Sequence, residues 1–81
     1  MIGSLLKFDC EKRELLRPTS AAYKQFDQQV GLCTEYSIND RGIEHVRVKW
    51  LKPVAYHSSA ATVSDFALDN FIVVGGVSGG V

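Results

Sequence analysis

Eighty-one residues, 46% of them apolar and 22% charged, with nine acidic side chains against nine basic ones, make one small globular domain of zero formal charge. A domain of this size buries only about 60% of the surface its unfolded chain exposes, so every apolar strand is needed for stability. Neutrality excludes an overall electrostatic footprint for nucleic acid and favours self-association over colloidal repulsion.

Met1–Phe8 reads as a first strand, with Ile2, Leu5, Leu6 and Phe8 apolar and room for a bulge near Gly3-Ser4. Asp9–Arg17 is charged, with Leu15-Leu16 its one apolar pair, and reads as a turn or the rest of a long ribbon; Pro18-Thr19-Ser20 breaks it. Thr19 or Ser20 can cap a short helix holding Ala22 and Phe26 on one face, a helical excursion over Ala21–Gln28. The competing reading is extended, with Tyr23–Phe26 feeding into the next strand.

Gln29–Tyr36 is the second strand, with Val30, Leu32, Thr34 and Tyr36 on one face and Cys33 and Glu35 on the other. Gly31 inside it signals a bulge or a close backbone approach. Asn39-Asp40-Arg41-Gly42 is a turn, so the second strand and Ile43–Leu51 form a hairpin. In that third strand Val46, Val48 and Trp50 point one way and His45, Arg47 and Lys49 the other. Pro53 ends or edges it. Val54–His57 reads as a short fourth strand and Ser58–Thr62 as a loop of small residues. Ser64 can cap a single helical turn carrying Phe66 and Leu68 inward, with Asp65 beside it. Asn70–Val74 is the last strand, and residues 75–81 form a flexible glycine-rich tail.

Five short antiparallel strands, with a one-turn helix before the last, predict an all-β fold. The expected architecture is a five-stranded SH3-like small barrel over residues 1–74, closed so as to remove exposed edges. Val30-Gly31-Leu32-Cys33 followed by Val46-Arg47-Val48-Lys49-Trp50 resembles the hairpin of KOW-type and other SH3-like barrels. Met1–Phe8 resembles their opening strand, and Asp65–Val73 is similar to their helical turn and final strand. The whole looks like the small proteins encoded by marine tailed phages. A usual member links its first two strands briefly, whereas about twenty residues, Asp9–Gln28, intervene here, which implies an extra element on the barrel. The resemblance implies an interaction module, since the fold hosts many functions.

No motif of nucleophilic, phosphate-binding or metal chemistry is present: no GxSxG, P-loop, HExxH or CxxC. Gly75–Gly80 is glycine-rich but carries no lysine and opens no helix. Cys10 and Cys33 read as buried free thiols. His45 and His57, even with Cys33 beside them, fall short of a zinc ligand set, and Asp65 with Asp69 suits capping better than acid–base work. The most site-like feature is the outer face of the third strand. His45, Arg47 and Lys49 alternate there, with Arg41 before, Lys52 after, and Tyr36 and Tyr56 flanking. Such a stripe can hold a nucleic-acid backbone and stack bases, or it is a solvated face in which Glu35 and Glu44 pair across the strands.

The sequence thus predicts a non-enzymatic interaction module acting in protein–protein contact or assembly. Its partner is expected to be a protein or a second copy, through an edge such as the last strand. The alternative is a nucleic-acid-binding barrel using Arg41, Arg47, Lys49 and Lys52. No cofactor, metal, membrane or small-molecule substrate is expected. Met1–Leu6 is too short for a signal-peptide core and no apolar run approaches the ~20 residues of a membrane span. The cytoplasm is the expected location, with the virion open if the chain is phage-encoded.

Overall fold

The computed structural model describes residues 2–14, 21–56 and 58–76. Five strands, β1 (Ser4–Phe8), β2 (Val30–Ile38), β3 (Glu44–Tyr56), β4 (Ser59–Ala67) and β5 (Phe71–Gly76), form one antiparallel sheet in the order β4-β3-β2-β1-β5. A one-turn helix α1 (Cys10–Glu14) follows β1, and a 3-10 segment (Ala21–Phe26) precedes β2. A second 3-10 turn (Leu68–Asn70) leads into β5. No helix among the described residues is long and apolar enough to cross a membrane.

The chain is all-β, as expected, but the barrel does not close. Among the described residues β4 and β5 pair on one side only, so the sheet keeps two edges. The sheet nevertheless curls strongly. Phe8 on β1 and Phe66 on β4 have two strands between them in the order, yet their rings meet edge to face at 5.0 Å. Phe26 from the 3-10 segment stacks on Trp50 at 5.4 Å and meets Phe66 at 5.2 Å. Burial of aromatic area, not a last ladder of hydrogen bonds, therefore draws the ends of the sheet together. Leu6, Phe8, Cys10, Phe26, Cys33, Val46, Val48, Trp50, Val54 and Phe71 make the core. Both cysteines are free and buried.

The hairpin between β2 and β3 forms where the turn residues predict it. Asn39 Oδ1 accepts hydrogen bonds from the backbone N–H groups of Arg41 and Ile43, at 2.9 and 3.0 Å. Gly42 takes φ +78°, which is strained for any side-chain-bearing residue. Gly31 is a close approach rather than a bulge. A Cβ there would stand 3.1 Å from the Lys49 carbonyl oxygen and 3.2 Å from the Trp50 ring.

Other expectations change. The third and fourth strands are one strand, β3, whose register with β4 shifts between Lys49 and Val54. Pro53, which cannot donate to a ladder, sits in that irregular stretch, and the strand continues through it to Tyr56. The small-residue loop and helix-cap segment are largely β4. Ser64 does not cap a helix: its Oγ accepts a hydrogen bond from Trp50 Nε1, at 2.9 Å. The helical turn starts later, at Leu68, and Ala67 at its N-cap position makes no side-chain cap.

The two faces expected for β2 do not hold through the whole strand, because Cys33 and Tyr36 come to the core side and Glu35 to the outer side. Cys33, opposite Val48, is in the core, and Thr34 and Tyr36 are exposed. A register shift between Cys33 and Glu35 breaks the two-residue alternation there.

Nearer the N-terminus, the irregularity expected at Gly3-Ser4 lies between Leu5 and Leu6 against β5. Cys10–Glu14 is neither ribbon nor turn but the whole of α1, capped by Asp9 Oδ1 on the Lys12 N–H at 3.0 Å. The helical excursion is present as the 3-10 segment, and the proposed Thr19 or Ser20 cap lies outside the described residues. Gly75 and Gly76, expected to open the tail, finish β5; the rest of that tail lies outside the described residues.

Candidate functional site

The outer face of β3 is an ion network. Arg47 donates from Nε to Asp65 Oδ1 at 2.7 Å and from Nη2 to Asp65 Oδ2 at 3.1 Å, a two-pronged pairing with β4. Its Nη1 lies 2.8 Å from Glu35 Oε2 on β2. The register dictates this, because Arg47 stands opposite Glu35 on one side and Asp65 on the other. Asp65 is accordingly held below the usual aspartate value, mainly by its hydrogen bonds from Arg47, and the Arg47 guanidinium is pushed up by the same contact. Glu35, not Glu44, pairs across the strand.

Lys49 is exposed on the same face, opposite Val63. His45 is half-buried there, its Nδ1 3.2 Å from the Ile43 carbonyl oxygen. Arg41 is exposed in the turn and Lys52 in the irregular stretch of β3. Tyr36 does not join this set. It stands opposite Val46, on the core side of the sheet, and its hydroxyl donates to Glu44 Oε2 at 2.6 Å. That bond pushes the Tyr36 phenol up. Tyr56 closes β3 opposite Ser59. His57 lies outside the described residues.

Cys33 and His45 lie on opposite faces of the hairpin, so the suggested zinc trio is not assembled. Burial pushes the Cys33 thiol up, and its Sγ donates to the Glu35 carbonyl at 3.3 Å. Among the described residues no three His, Cys, Asp or Glu side chains are grouped to hold a metal.

A further concavity lies elsewhere, along β4. A groove of about 520 Å³ is floored by Tyr23, Phe26 and Phe66, with Val63, His45 and Asp65 at its rim. Tyr23, 40% exposed, meets Phe66 edge to face at 5.4 Å. The 3-10 segment that presents Tyr23 is anchored at its C-terminal side, where Asp27 and Gln28 return to Phe8 and Cys10. The Cys10 N–H donates to Asp27 Oδ1 at 3.0 Å, and the Gln28 N–H donates to the Phe8 carbonyl at 2.7 Å. The Cys10 bond also holds Asp27 below the usual aspartate value. Gln28 takes φ +66° to make this return.

Alternate backbone groups of an edge strand face away from the sheet and can accept another strand. The β4 edge therefore combines main-chain pairing capacity with an aromatic floor beneath it. Sequence reasoning missed this because Ser64 and Asp65 read as cap residues. The overlooked signal was the alternation Thr62, Ser64, Phe66 beside the β-branched Val63. No protein-family model, curated protein or solved structure matches this chain, so its function is read from its own residues.

Proposed function

We propose that this protein is a non-enzymatic SH3-like interaction module that makes protein contacts along β4. The SH3-like reading is supported by β1 lying between β2 and β5, with a single 3-10 turn leading into the last strand. The observation that carries the functional reading is the coincidence of an open strand edge with the aromatic groove of Tyr23, Phe26 and Phe66. An extended backbone adds to such an edge by main-chain hydrogen bonds while alternate side chains enter the groove.

The nucleic-acid alternative is disfavoured by the charge of the β3 outer face. Arg47 and Lys49 are offset there by Glu35 and Asp65, so few phosphates can be neutralised. Selection of binders from a random displayed-peptide library tests the proposal. Selected peptides are expected to lose binding in Tyr23→Ala and Val63→Lys and to keep it in Lys49→Ala. Tight binding of a single-stranded oligonucleotide, lost in Lys49→Ala and steeply salt-dependent, would instead assign the function to nucleic acid.

A further inference from the structure

No further inference is drawn: the strongest candidate, the groove along the open β4 edge floored by Tyr23, Phe26 and Phe66, belongs to the site already described, and nothing in the structure shows what covers it.

Discussion

Trp50 Nε1 donates its hydrogen to Ser64 Oγ across the β3–β4 pair, at 2.9 Å. One contact thus satisfies the indole of a core residue and fixes a serine to the sheet instead of to a helix terminus. A Trp nitrogen is donor only, so it needs an acceptor wherever it is withdrawn from water. Ser64→Ala is expected to destabilise the fold by about 1–3 kcal/mol, the cost of an unsatisfied part-buried donor. A lowered midpoint of urea unfolding at unchanged slope would be the observation.

Gly31 leaves little room for a side chain. Its virtual Cβ meets backbone as well as the Val48 and Trp50 side chains, so no single rotamer change relieves it. Gly31→Ala should cost about 1–3 kcal/mol, the usual range for overpacking. Gly75→Ala, where the nearest atom is Leu5 Cδ1 at an ordinary 3.4 Å, is the control and should be tolerated.

Gln28 carries a left-handed backbone conformation without being glycine. That conformation costs an ordinary residue roughly 1–2 kcal/mol, while glycine costs about 0.5–1 kcal/mol in unfolded-state entropy. Gln28→Gly should therefore raise stability by up to about 1 kcal/mol, and Gln28→Val should lower it. Thermal unfolding of both variants checks the sign.

Asp27 and Asp65 both bind their protons more weakly in the folded chain than in the unfolded one. Their stabilising contribution is present above the ordinary aspartate value and is lost as pH falls through the lowered folded values. Unfolding at a series of acid pH values should show stability declining in that window. Asp27→Asn, whose amide oxygen can still accept the Cys10 N–H, should flatten the Asp27 part of the decline.

The Arg47–Asp65 pair is well aligned but exposed. A double-mutant cycle with Arg47→Ala and Asp65→Ala should give a coupling of about 0.2–1 kcal/mol, falling with added salt. A larger, salt-independent value would show that the outer face of β3 is shielded from water.

The all-β character, the β2–β3 hairpin, the core triad of Val46, Val48 and Trp50, and the tight site at Gly31 were determined by the sequence alone. These depend on period-two patterning and turn chemistry, which act over a few residues and can be read locally. Tertiary structure decided the rest. Whether Ser64 caps a helix or receives the Trp50 indole depends on a residue fourteen positions away in the chain. Whether Arg47 belongs to a basic stripe or to an ion network depends on Glu35 and Asp65 arriving from two other strands. The groove along β4 is assembled by the 3-10 segment folding back over Phe66, a contact between aromatics forty or more residues apart. Long-range packing of this kind carries no periodic mark in the sequence, because burial rewards any apolar surfaces that meet, whatever their separation along the chain.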